Sequence, residues 1–375
     1  MGVAEHYGFV PIDSVMPNHY KKNGRESAGR LPGQAEYGSP FDQEFAILMN
    51  SYIEHGHASR TEPLLVYHYT SGKDKGSSGL FGLNIVGSSH SIAEALIVKT
   101  ALAVLEDIGI VDQCVHVNSI GDRDSASRFS KELTAYLRKH INDLPAPTRQ
   151  AMKKDVFHAF DELLKKQHVL CAAAPSTVEF LTEASRRHLR EILEYFEMGE
   201  MLYELNPSLI GHRDCYSKTL FEIRAIAPSK DDEIVVYGRG GRYDELSRKL
   251  FKVQIPATGI ILEYERKGRM PKSIKPHTKA RKPKVCFIQL GYEARLRSLS
   301  VIETLRKARI PVHQSLGMEQ FSAQLACAHE LSIPYSIIMG HKEALEGSVI
   351  VRNMSTRAQD TILVPRLPEY LKAVL

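Results

Sequence analysis

The sequence predicts an α+β protein: a large N-terminal part with a helical middle, and a smaller C-terminal part that alternates strand and helix. Three observations predict it. Lys267 to Lys284 carries eight Lys/Arg, three prolines and no acidic residue, the composition of a solvated linker. After that segment, short apolar runs alternate with amphipathic helical patterns. Before it, Phe129 to Tyr203 is almost entirely helical pattern with few β signals, which reads as a helical insertion.

In the N-terminal part the clearest helix runs from Ser91 to Ile108. Ser91 and Glu94 have capping-box spacing, Ile92, Leu96 and Ala103 share a buried side, and Gly109 stops the helix. A strand, Val115 to Asn118, follows. The helical stretch is interrupted around Leu144 to Pro147 and Ala172 to Pro175. Strand signals return at Leu220 to Ile226, Glu233 to Tyr237 and Thr258 to Tyr264.

Beyond the linker, Val285 to Leu290 is a strand ended by Gly291. A helix from Glu293 to Ala308 carries Leu296, Leu299, Ile302 and Leu305 on one face. Pro311 opens a second strand, Met318 to Leu331 is a helix, and Tyr335 to Met339 is a strand stopped by Gly340. Ser348 to Val351 and Thr361 to Val364 read as strands, and Pro368 to Leu375 as a last helix. This order predicts a small α/β sheet domain. The expected division is therefore 1–266 with the insertion at about 122–205, the linker at 267–283, and 284–375.

Composition excludes several classes. At 375 residues the chain has room for two or three domains of ~100–200 residues. With 43% hydrophobic and 25% charged residues it is neither disordered, collagen-like, nor a small disulfide scaffold. No apolar run approaches the ~18–20 residues of a membrane span. Met1 to Tyr20 lacks a signal-type apolar core, so a cytoplasmic location is expected. The five cysteines have no Cys-x-x-Cys spacing and read as reduced core residues. The histidines, among them His55, His57, His68 and His90, lack carboxylate or Cys partners at ligand spacing, so no metal is expected. There is no Walker loop and no nucleophile elbow. A net charge of +5 permits a nucleic-acid partner.

Several segments carry a resemblance. Gly238-Arg-Gly-Gly-Arg-Tyr-Asp-Glu-Leu246 is similar to a Gly-Gly-Arg-Tyr-Asp-x-Leu signature. Pro256 to Arg266 resembles class II motif 3 with its Glu-Arg ending. Asn206 to Glu222 resembles the block Asn-Pro-x-Leu-Val-Arg-Gly-Leu-Asp-Tyr-Tyr-x-x-Thr-x-Phe-Glu. Gln289-Leu-Gly291, Ile338 to Glu343 and Val351 to Gln359 resemble an anticodon-binding domain, and Tyr52 to Gly56 and Asn118 to Gly121 have counterparts as well. This ordered set resembles the class II histidyl-tRNA synthetases over nearly the whole chain. The resemblance implies a six-stranded antiparallel class II sheet flanked by helices, a helical insertion, a C-terminal anticodon-binding domain and a homodimer, with Tyr7-Gly-Phe9 in the place of dimer-forming motif 1.

The same alignment predicts missing chemistry. Charge building on the α-phosphate of ATP calls for an arginine fork. The stretch Leu65 to Gly76 lacks the family's Phe-Arg-x-Glu turn, and no arginine occurs between Arg60 and Arg123. Lys73 and Lys75 cannot make the bidentate fork. The family's second catalytic arginine falls on Gly211, three residues before Asp214, while Arg213 stands two positions on. The tyrosine pair that closes the histidine pocket falls on Cys215 and Tyr216. Acceptors for the histidine substrate fall on Gln43, Phe45, Leu80 and Asn84. Arg266 matches the ATP-stacking arginine, and a small glycine ahead of it becomes Glu263. Glycines of the surviving Gly240-Gly241-Arg242-Tyr243-Asp244 segment let strands pack closely, and Arg242 with Asp244 reads as a structural pair.

What the resemblance then implies is a synthetase-like protein deficient in aminoacylation, acting by binding tRNA or a protein partner. The alternatives are an active histidine–tRNA ligase, which alone would require ATP and magnesium, and a regulatory subunit similar to that of ATP phosphoribosyltransferase. No membrane or DNA partner is expected. Tyr216, Gly240, Gly241 and Tyr243 are the expected remnant of the substrate pocket and Arg266 the residual ATP contact. Arg352 and Arg357, flanking the polar turn Asn353 to Thr356, are the expected RNA contacts.

Overall fold

The computed structural model describes residues 2–17, 40–60, 62–70, 78–211, 215–226, 234–265, 283–316 and 318–375. Two sheets organise it. The first contains β1 (Val10–Pro11), β2 (Leu64–Thr70), β3 (Ser78–Val86), β4 (Gln113–Gly121), β5 (Tyr203–Leu205), β6 (Ser217–Ala225), β7 (Val236–Arg242) and β8 (Ala257–Glu265), in the order β1-β2-β3-β8-β7-β6-β4-β5. From β2 to β4 six strands pair antiparallel, as expected, and the short β1 and β5 add parallel edges. The second sheet contains β9 (Val285–Gln289), β10 (Val312–Gln314), β11 (Tyr335–Met339), β12 (Ser348–Asn353) and β13 (Gln359–Leu363), in the order β10-β9-β11-β12-β13. Its first three strands are parallel and its last two antiparallel. Around it pack the helices Tyr292–Lys307, Phe321–Glu330, His341–Glu346 and Leu367–Val374.

The helical middle consists of Arg123–Lys139, Ala146–Lys154, Val156–Lys165 and Glu183–Met198. Three of these start where a side chain accepts an otherwise orphaned N–H: Asp122 from Ser125, Asp155 from Phe157 and Thr182 from Ser185. Leucine and phenylalanine at helical spacing (Phe129, Leu133, Leu137) bury one face.

The helix Ile92–Asp107 lies within a residue of its predicted span, but the predicted capping box is absent. The Ser91 hydroxyl donates to Glu191 (2.6 Å), and Glu94 serves a different partner described below. Strand β7 runs through the Gly-rich segment to Arg242, five residues past its predicted end at Tyr237. Glycine disfavours strands by itself, yet here the neighbouring strands leave room for nothing else. A Cβ on Gly240 would lie 2.1 Å from the Gly259 carbonyl oxygen.

The second sheet is docked on the first part. Tyr7 donates from its hydroxyl to Glu303 and accepts at its carbonyl from Gln314 (2.9 Å). Tyr292 donates to Glu194, and Ser300 to the Met198 carbonyl (3.2 Å). One continuous apolar core joins Tyr7, Phe9 and Leu96 to Leu299, Ile302 and Val312. Among the described residues no helix is long and apolar enough to cross a membrane.

Candidate functional site

Residues directly paired across a sheet share a face. The registers therefore define lateral rows on the face turned toward the helix Pro40–Glu54. One row reads Asn118, Leu220, Gly241, Gly259, Asn84, Val66 from β4 to β2. Its two central glycines form a trough. This is where the resemblance puts the histidine substrate.

The trough is filled by the protein itself. Phe45 drops into it from the helix Pro40–Glu54 and is fully buried. Its ring stacks on Tyr243 at a centroid distance of 4.5 Å and meets Tyr216 edge-on at 6.4 Å. A Cβ on Gly259 would lie 2.9 Å from a Phe45 ring carbon and 2.2 Å from Asn84 Oδ1, so glycine is what admits both. Tyr243 donates its hydroxyl to Asn84 Oδ1 (2.9 Å), and burial holds that phenol well above its usual pKa. Gly211 is closed by Leu220 and Tyr216, whose carbons would stand 2.4 and 2.5 Å from a Cβ there. An arginine at 211 would have to displace both.

Of the expected pocket remnant, Tyr216, Gly241 and Tyr243 come together around Phe45. Gly240 belongs to the opposite face, under Phe221. Arg266, together with Lys73, Lys75, Arg213 and Asp214, lies outside the described residues. Glu263 is exposed on the trough's face, opposite Leu80.

The row next to the trough was not foreseen from sequence. It reads Glu204, His116, Glu222, Arg239, Ile261, Gly82, His68. Glu222 accepts from Arg224 (Nη2, 2.6 Å) and pairs with Arg239 (Nε, 3.1 Å), so both arginines on this stretch of the face are tied to one carboxylate. Period-two alternation in Leu220 to Ile226 puts Glu222 and Arg224 on one face and was the available signal.

Arg242 turns to the other side of the strand and is wholly buried. Its guanidinium forks onto Glu94 (2.7 and 2.6 Å), donates to the Ser88 carbonyl (2.9 Å) and reaches Asp244 at 3.4 Å. His188 caps the same Glu94 carboxylate at 2.7 Å. The predicted Arg242–Asp244 pair is thus present, but as the lesser contact of a network centred on Glu94.

In the second sheet, Arg352, the penultimate residue of β12, is partly buried, and Arg357 is exposed in a left-handed conformation (φ 63°). Between them Asn353 Oδ1 accepts from the Ser355 N–H (3.0 Å), the Ser355 hydroxyl (2.9 Å) and the Thr356 N–H (3.0 Å). Thr356 Oγ1 accepts from the Ala358 N–H (3.3 Å) on the other side, so two polar side chains shape the exposed β12–β13 turn.

Residues 284–374 match the anticodon binding domain family. A histidine–tRNA ligase from Dehalococcoides mccartyi is 28% identical over 339 residues, covering 86% of this chain and 78% of the relative. The chain is histidyl-tRNA synthetase-like. A second histidine–tRNA ligase, from Listeria monocytogenes, is 26% identical over 329 residues, covering 84% of the synthetase-like chain and 77% of the relative. The structure of apo histidyl-tRNA synthetase from S. aureus aligns with a TM-score of 0.48 at 20% identity, covering 86% of this chain and 81% of that one.

Proposed function

We propose that this synthetase-like protein does not aminoacylate and acts by binding tRNA. The observation that carries the first half is Phe45, seated on Gly259 and stacked on Tyr243 in the trough the substrate would need. The described residues do not fit ATP beside it either. Glu263 presents a carboxylate on that face, Arg224 and Arg239 are held by Glu222, and Gly211 lacks space for a cation. No catalytic step is therefore assigned. Histidine-dependent ATP–pyrophosphate exchange is the test of this half.

The second half rests on the C-terminal domain. Residues 284–375 carry eleven Lys/Arg against eight Asp/Glu, and Arg352 and Arg357 flank an exposed turn. In this reading the turn meets phosphates, so binding weakens as salt rises because neutralised phosphates release counterions. In a filter assay, total tRNA is retained at low salt, and Arg352→Ala with Arg357→Ala reduces affinity by about 1–3 kcal/mol. No retention at low salt would overturn the RNA reading and favour a protein partner.

The reading includes the homodimer that the resemblance implies, formed through the N-terminal part. Light scattering at micromolar concentration is expected to give the mass of two chains, and a one-chain mass would refute it.

A further inference from the structure

Single exposed aliphatic side chains are ordinary on a soluble protein, but a cluster of them is not. Six of the fifteen exposed large apolar residues among the described ones gather at one end of the first sheet: Ile108, Val111, Leu202, Ile226, Ile234 and Val235, each 47–66% exposed. Strand β4 starts there, β6 ends there, and β7 starts beside them. Backbone bonds hold the flanking segments side by side. The Ile226 N–H donates to the Asp112 carbonyl (3.1 Å), and the Ala225 N–H to the Val235 carbonyl (2.9 Å). On the outer side the Leu202 carbonyl accepts from the Val115 N–H (2.9 Å). Ile108 joins from the C-cap of the helix Ile92–Asp107.

The patch has the size and composition of an interface core. Aliphatic residues this open expose on the order of 100 Å² each. Six of them approach the roughly 500 Å² of apolar area in one side of a standard ~800 Å² interface. Residues 108–113, 225–226 and 234–237 hold one charged side chain, Asp112, among twelve. A phosphate backbone would need cations inside the patch, and it has none. Around it stand charges of both signs. Asp107 and Asp112 are exposed on its border. Arg306 lies 3.8 Å from Glu106, which brings the end of the helix Tyr292–Lys307 alongside. Lys307, 3.7 Å from Glu303, and Arg309 are exposed there. An apolar centre with acidic and basic borders is complementary to a second copy of itself. The residues in the place of dimer-forming motif 1 are already used, because Tyr7 and Phe9 are buried in the core shared with the second domain.

We propose, resting on the homodimer reading above, that this end of the first sheet is the contact between two copies of the chain. A two-fold axis relates them, and the six aliphatic side chains form the core of the contact.

The test is sedimentation velocity of the full chain at micromolar concentration, where the native chain should sediment as two copies. Val111→Lys and Ile234→Lys each place a charge in the interface core. Each should weaken the dimer by about a hundredfold or more and leave one-chain particles. Both positions are mostly exposed in the single chain, so the variants should keep a native circular dichroism spectrum. Val169→Lys, at an 81% exposed position in the helical middle, should remain a dimer and controls for added charge. A dimeric native chain whose two patch variants are also dimeric would overturn this surface and leave the homodimer reading intact. Dissociation of Val169→Lys to the same extent as the patch variants would overturn it as well. A one-chain mass for the native protein would overturn both.

Discussion

Arg242→Ala is expected to lower the unfolding free energy by about 3–5 kcal/mol, because it strands a buried carboxylate. Arg242 and Glu94 are both fully buried, and the guanidinium supplies two of the three charge-assisted contacts on that carboxylate. Burial alone would push the Glu94 carboxyl up. The charges of Arg242 and His188 and their hydrogen bonds outweigh it and hold the group at about 2, against an ordinary 4.5. A depressed carboxyl stabilises the fold above its ordinary pKa, and that stability is lost as pH falls from about 4.5 through about 2. The gap corresponds to about 3 kcal/mol at 1.36 kcal/mol per unit, the same order as the mutational estimate. Without Arg242, burial dominates and the acid limb of the stability curve moves to higher pH. Urea unfolding at pH 7 and along an acid series measures both. A loss below about 1 kcal/mol at pH 7 would show that the network adds little.

Phe45→Ala is expected to cost about 3–5 kcal/mol, the usual range for truncating a fully buried phenylalanine. The stack on Tyr243 and the edge contact with Tyr216 go with it, and glycines 241 and 259 beneath cannot fill the void. Phe45→Thr, which puts the residue of the resembled family at this position, should cost a similar amount. It should not bring histidine binding back, since Gln43, Leu80 and Asn84 still stand where the acceptors would be. The urea midpoint should fall with an unchanged m value, because the denaturant-exposed surface stays nearly the same. A midpoint within experimental scatter of the native one would mean that the trough collapses around the smaller side chain.

These two residues also mark how far the sequence could be read. Patterns that repeat along the chain were legible: the helix Ile92–Asp107 and the strand Tyr335–Met339 lie at or within a residue of the spans their apolar spacing predicts. The helix was legible for a partly wrong reason. Ser91 and Glu94 have capping-box spacing, but tertiary partners outcompete the local bonds. Strand β7 was cut short because glycine carries no strand signal, and its pairing is imposed by close approach to β6 and β8. Strands β2 and β3 were not recognised as strands at all. Leu64 to Tyr67 is buried on both faces and so shows no polar alternation.

At the site, the alignment identified Phe45 as a departure but described it as a lost acceptor. Its effect in three dimensions is to occupy the trough, which depends on Gly259 and Tyr243, 214 and 198 positions further along the chain. The Glu222–Arg224–Arg239 cluster needed the strand register as well, since Arg239 sits in the glycine-rich run whose face cannot be read without it.

The most direct measurement is ATP–pyrophosphate exchange with the purified full-length chain, with and without histidine. With Phe45 in the trough and Gly211 closed by Leu220 and Tyr216, the expected rate with histidine equals the rate without it. Histidine-dependent exchange, in a preparation freed of the expression host's own synthetase, would contradict the loss of aminoacylation chemistry.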